Sequence, residues 1–236
     1  MWAVHRPSAR TDRHPPPPFN APAARRLRAG LGMGPEHVAD ALRGSYGLPY
    51  VTSALVAAWE QRTAAPSHIE LTALAGVLWC SPGELLGRPS TLREHRVARG
   101  LAPEDVARTV GHELHAYLRM EETNQWRGSE QQSATLARLL ALSLADVITI
   151  TGQENRLAEL LRGATTTRWQ TYVRPVSKLA PLERRHLEEA LHRLHRDYRG
   201  HMAATLSWSS DTSDIGSEFL ARIVDHFWTA VEEEGR

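Results

Sequence analysis

Met33-Gly-Pro-Glu-His-Val-Ala-Asp-Ala-Leu42 aligns without a gap on Leu101-Ala-Pro-Glu-Asp-Val-Ala-Arg-Thr-Val110. Each copy places proline at the first helical position, where its missing N–H is no loss, and acids in the first turn, where they oppose the helix dipole. Each then presents Val-Ala and a following Leu or Val at the spacing of one inward helix face. The correspondence extends to both sides. Leu27-Arg28 and Leu92-Arg93 begin the two units, and Leu74-Ala75 through Ser81, Glu84, Leu85 and Leu86 match Leu136-Ala137 through Ser143, Asp146, Val147 and Ile148. The chain reads as one helical unit used twice in tandem.

Outside these stretches apolar residues also recur at three and four, and alternating strand patterns are nearly absent, so the expected class is all α. Glycine and proline punctuate the first two-thirds into short helices. Four segments are predicted: an arm at 1–18 with Arg6, Arg10, Arg13 and the Pro15–Pro18 run, a first unit at 19–89, a second at 90–152, and a C-terminal helical module at 153–236. The 236 residues carry a formal charge of +1, and the arm and first unit hold what net positive charge there is. Cys80 is the only cysteine, which excludes a disulfide scaffold and a multi-cysteine zinc cluster. The longest apolar candidate, 136–150, contains Arg138 and Asp146, and residues 1–20 have no apolar h-region. A cytoplasmic, nucleoid-associated protein without a membrane partner is expected. Lys178 is the only lysine beside 27 arginines, a bias that points to a GC-rich, actinobacterial-like genome.

The first unit carries Val56, Trp59-Glu60, Pro66-Ser67, Leu74-Ala75 and Ser81-Pro-Gly-Glu-Leu-Leu86. This spaced set resembles the XRE-type (lambda-repressor-like) helix-turn-helix regulators, and the second unit resembles a diverged copy with Gly111 at the turn and Met120-Glu121 in place of Trp-Glu. The resemblance covers about residues 24–150. It implies two tandem helix-turn-helix bundles, double-stranded DNA as partner, a homodimer and no cofactor. Two features depart from the family. Ala39 to Glu60 is seven residues longer than Ala107 to Glu121, with Gly44-Ser-Tyr-Gly-Leu-Pro49 expected to lengthen the turn. The glycine that usually ends the third helix is replaced by Arg62 and Thr123.

In such a motif the third helix enters the major groove while flanking groups hold phosphates. The resemblance puts Thr52, Ser53, Ala54, Leu55, Ala57 and Ala58 on the first reading face, with Gln61 and Arg62 at its end. That face offers methyl groups and no Arg or Asn for bidentate base recognition. The second face offers Glu113, His115, Ala116 and Arg119, with Gln125 and Arg127 beyond, and its carboxylates oppose phosphate. Phosphate contacts are expected from Arg25, Arg26, Arg28 and Arg43, with Arg93, Arg96 and Arg99 as counterparts.

In the C-terminal third, Leu187, Leu191, Leu194, Tyr198, Met202 and Leu206 form one stripe. After a break at 207–213, Ile215, Phe219, Ile223, Phe227, Trp228 and Val231 form a second. An antiparallel hairpin with a dimer interface and an intrachain core against Leu157, Leu160, Leu161, Trp169 and Tyr172 are both open, as is a small-molecule effector site at Trp169, Tyr172, Trp208 and Trp228. His112-Glu-Leu-His115 lacks the spacing of a zinc helix, and His192 with His195 is a weak metal pair. No phosphate loop, nucleophile elbow or compact acid pair supports catalysis. The rival to a DNA-binding regulator is a non-catalytic module that keeps the fold but binds a protein of the transcription machinery.

Overall fold

The computed structural model describes residues 16–206 and 212–234. The arm arginines Arg6, Arg10 and Arg13, and Trp208 in the C-terminal break, lie outside the described residues. Those described form an all-α chain, with one isolated antiparallel bridge between Phe19 and Leu86. Two compact units meet between Leu142 and Ser143; the sequence boundaries at 89–90 and 152–153 fall inside them. No described helix is long and apolar enough to cross a membrane.

The first unit contains α1 (Ala21–Gly30), α2 (Pro35–Tyr46), α3 (Ser53–Glu60), α4 (His68–Val77) and α5 (Pro82–Leu85), then α6 (Leu92–Ala98), α7 (Pro103–Val110), α8 (Leu114–Thr123) and α9 (Glu130–Leu140). The helices α1 and α3 pack together, and α2 packs on α3 and α4; in the same order α6 packs on α8, and α7 on α8 and α9. The local chemistry repeats too. Capping boxes at Ser67 with Glu70 and at Ser129 with Gln132 start α4 and α9, satisfying N–H groups that the helix leaves open. Left-handed backbone occurs in matching pairs, Gly32 and Gly100, Gly47 and Gly111, Trp79 and Ala141, so the chain changes direction at equivalent points. Buried residues pair likewise: Val38, Leu42, Val56, Trp59, Leu74 and Leu78 occupy the positions of Val106, Val110, Tyr117, Met120, Leu136 and Leu140.

Three sequence expectations shift. The first helices align as Arg25 with Arg93 and Arg28 with Arg96, not Leu27-Arg28 with Leu92-Arg93, because Arg28 and Arg96 make the same contacts described below. The insertion only partly enlarges the turn: α2 has 12 residues against 8 in α7, since Gly44-Ser-Tyr46 continue the helix until Gly47 ends it at φ 65°. The left-handed residue that ends α8 is Asn124, at φ 49°, and not Thr123, which is the last residue of the helix.

The second unit contains α10 (Leu144–Ile150), α11 (Glu154–Thr166), a 3-10 turn (Trp169–Tyr172), α12 (Val173–Leu179), α13 (Arg184–Leu206), α14 (Thr212–Ala221) and α15 (Ile223–Glu234). The long α13 packs on α11, α12, α14 and α15. Leu187, Leu191 and Leu194 bury against Leu157, Leu161, Ile223 and Phe227, so the two amphipathic stripes meet inside the chain, with Trp169, Tyr172 and Trp228 half-buried beside them. The second stripe is two helices, divided at Arg222. By its capping box of Ser143 and Asp146, α10 is the sequence counterpart of α5, yet its Ile148 belongs to this second core.

Candidate nucleic-acid interface

The geometry around α3 begins with its buried side. Val56 and Trp59 are 2% and 1% exposed, and Glu60 turns inward as well. Arg28 grips it with both ends of a fork: Nε donates to Oε1 at 2.6 Å and Nη2 to Oε2 at 2.8 Å, while Nη1 donates to the Met33 carbonyl at 2.6 Å. The same clamp stands in the second repeat. Arg96 Nε donates to Glu121 Oε1 at 2.5 Å, Nη2 to Oε2 at 3.0 Å and Nη1 to the Leu101 carbonyl at 2.8 Å. Bidentate pairs of this kind fix geometry as well as charge, so each clamp ties the first helix, the turn after it and the third helix together.

The hydrogen bond to Glu60 raises the Arg28 pKa above its ordinary value. For Arg96 burial pulls the other way, but the hydrogen bond and charge of Glu121 more than offset it. Tyr117, fully buried beside that clamp, is held protonated first by burial and then by the Glu121 charge. Its hydroxyl makes no hydrogen bond of ordinary geometry, so the influence of Glu121 is electrostatic.

These contacts sort the expected phosphate residues. Arg28 and Arg96 are taken up internally. Arg25 lies 3.7 Å from Glu60 with its side chain 63% exposed, and Arg93 lies 3.4 Å from Glu121. Arg43 donates to the Val51 carbonyl at 2.8 Å and pairs with Asp40, which braces the long turn above buried Leu48 and Val51. Arg26, Arg62, Arg99 and Arg119 are exposed and make no ion pair with a described residue.

The outward side of α3 is plain. The Thr52 hydroxyl accepts from Leu55 N at 3.1 Å as the N-cap. Ser53, Ala54 and Gln61 are exposed, while Leu55, Ala57 and Ala58 are half-buried. Arg62 follows at φ 61°. On α8 the aligned positions hold His115 and Arg119, both exposed, and half-buried Ala116. They are accompanied by Glu113, the N-cap, and Glu122, exposed carboxylates on the same helix. Arg127 donates to Gln125 at 3.2 Å. Sequence reasoning missed the clamps, although an arginine repeated before a repeated glutamate was visible.

The remaining candidates lie elsewhere. His195 sits with Nδ1 2.9 Å from the Thr165 carbonyl, and the His192 ring tilts against Trp169 at 5.6 Å. The Cys80 thiol donates to the Ala75 carbonyl. No family model, curated protein or solved structure matches the chain.

Proposed function

We propose that the chain is a sequence-specific DNA-binding regulator of transcription, built from two lambda-repressor-like helix-turn-helix repeats, and that α3 is its groove-entering helix. One observation carries the reading: the only carboxylate on α3, Glu60, is turned inward and neutralised by Arg28, which leaves no carboxylate on the exposed side of the helix, and exposed Arg62, which makes no ion pair with a described residue, follows directly after it. Carboxylates facing phosphate oppose the term that dominates affinity. The exposed Glu113 and Glu122 give α8 the opposite character, which assigns it a supporting part. A homodimer belongs to the proposal, because one such face holds duplex weakly.

Selection of the full chain against random duplexes, followed by titration at several salt concentrations, tests it. An enriched sequence is expected, with a log K against log salt slope of about −2 to −4, near −0.9 for each phosphate contacted. Arg62→Ala weakens binding more than Arg119→Ala does. No enriched sequence together with a flat salt response would sink the reading. Sedimentation of the complex measures whether two chains bind.

A second reading has its own observation. Trp79 is 88% exposed and Ile69 on α4 is 64% exposed, and tryptophan anchors are typical of protein interfaces. A non-catalytic module that binds a protein of the transcription machinery through Trp79 would lose that partner on Trp79→Ser while duplex binding stayed as it was.

A further inference from the structure

We infer that α3 selects its site through C5-methyl groups of pyrimidines, so that the preferred duplex is rich in thymine along the stretch facing Ala54 and Ala57. The inference rests on α3 being the helix that enters the groove. Its physical basis is what α3 can and cannot offer a base pair. Positions 53, 54, 57 and 61 lie on one face of the helix, opposite the buried Val56 and Trp59. Up to Gln61 no side chain on that face reaches beyond Cβ or a single hydroxyl. The Thr52 hydroxyl is engaged as the helix cap, and Arg43 is held by Val51 and Asp40. Guanine is recognised in the major groove by a forked cation and adenine by a paired amide, whereas the thymine methyl is the one apolar group there and is met by small apolar side chains.

Short side chains have a second effect. They let the helix backbone come close to the base edges, so that an alanine methyl and a thymine methyl touch. Gln61, the C-cap that follows α3, supplies an amide only at the edge of this stretch. The second repeat lacks the arrangement: the positions of Ser53, Ala54, Ala57 and Gln61 are filled by Leu114, His115, Leu118 and Glu122. Thymine is the ordinary source of a C5-methyl, and 5-methylcytosine is the other.

The test uses the full chain and the duplex that selection enriches, with thymines replaced one at a time by uracil and binding followed by fluorescence anisotropy. Burying one methyl corresponds to about a fourfold change in affinity. Two or three positions are therefore expected to weaken about three- to fivefold with uracil. Cytosine at those positions weakens binding further, and 5-methylcytosine recovers part of that loss. In Ala57→Gly, or in Ala54→Gly at the more exposed position, the penalty for uracil falls below about twofold at one of them, with folding checked by the melting curve. Uracil that is tolerated everywhere, or 5-methylcytosine that behaves as cytosine, overturns the inference and leaves DNA binding standing. Base preferences that vanish in Arg119→Ala but survive in both alanine variants also overturn it, by moving recognition to α8. If no sequence is enriched at all, it is the groove-entering role of α3 that fails.

Discussion

At the scale of single residues the two clamps dominate. The Arg96 side chain is 12% exposed and that of Glu121 is fully buried, so removing one partner strands the other. Glu121→Ala is expected to cost about 3–5 kcal/mol in urea unfolding, whereas replacing both, Arg96→Met with Glu121→Leu, recovers most of it. Arg62 shows a different tension. Its φ of 61° is a conformation that glycine adopts freely, and Arg62→Gly should raise stability by about 1 kcal/mol while duplex affinity falls. Cys80 makes a third case. Burial first, and Glu84 second, push its pKa up to about 11. Alkylation of the native protein at pH 8 is therefore expected to run on the order of a hundredfold slower than for a free thiol. The sign for stability follows from linkage. The unfolded chain ionises first, so the contribution of the thiol is complete below about pH 8.5 and is lost as pH rises toward 11. Denaturation midpoints of the native chain and of Cys80→Ala, compared between pH 8 and pH 10.5, check this.

At the scale of helices, much was legible because the signals are local. Pro35 and Pro103 open helices, and the capping boxes at Ser67 and Ser129 lie within three residues of their partners. Ser67→Ala and Ser129→Ala should each cost about 1 kcal/mol in thermal unfolding. What was not legible depends on distance along the chain. Nothing near Arg28 tells it from a phosphate ligand, because its partner Glu60 comes 32 residues later. Nor did the glycines of the insertion disclose that Gly44 would stay helical while Gly47 turned left-handed, since glycine tolerates both. Asn124 took the left-handed position in place of Thr123, and its side chain then accepts from Leu92 N at 2.8 Å, a contact available only once α6 and α8 are packed. That the exposed side of α3 carries no carboxylate emerged only from packing, when Glu60 was seen to turn inward onto Arg28.

At the scale of the whole molecule, each of the two compact units has its own buried apolar residues. The second is filled by Leu157, Leu161, Leu187, Leu191, Ile223 and Phe227. A fragment of residues 143–236 is therefore expected to be helical and to melt cooperatively by circular dichroism, and a fragment begun at 153 to melt lower, because it lacks the buried Ile148 of α10. A gradual, non-cooperative melt of the longer fragment would contradict an independent core.

The duplicated clamp also creates a hazard during synthesis. Two arginines with the same donors and two glutamates with the same acceptors leave Arg28 free, in an unfolded chain, to seize Glu121 while Arg96 takes Glu60, and neighbouring similar units are prone to such crossed assembly. The residues beside the glutamates discriminate between the two outcomes. Trp59 is far larger than Met120, and Val56 far smaller than Tyr117, so an exchanged third helix would clash at one of these positions and leave a hole at the other in each core. The divergence of the repeats, which looks like decay when the copies are aligned, thus works as a proofreading device for the fold.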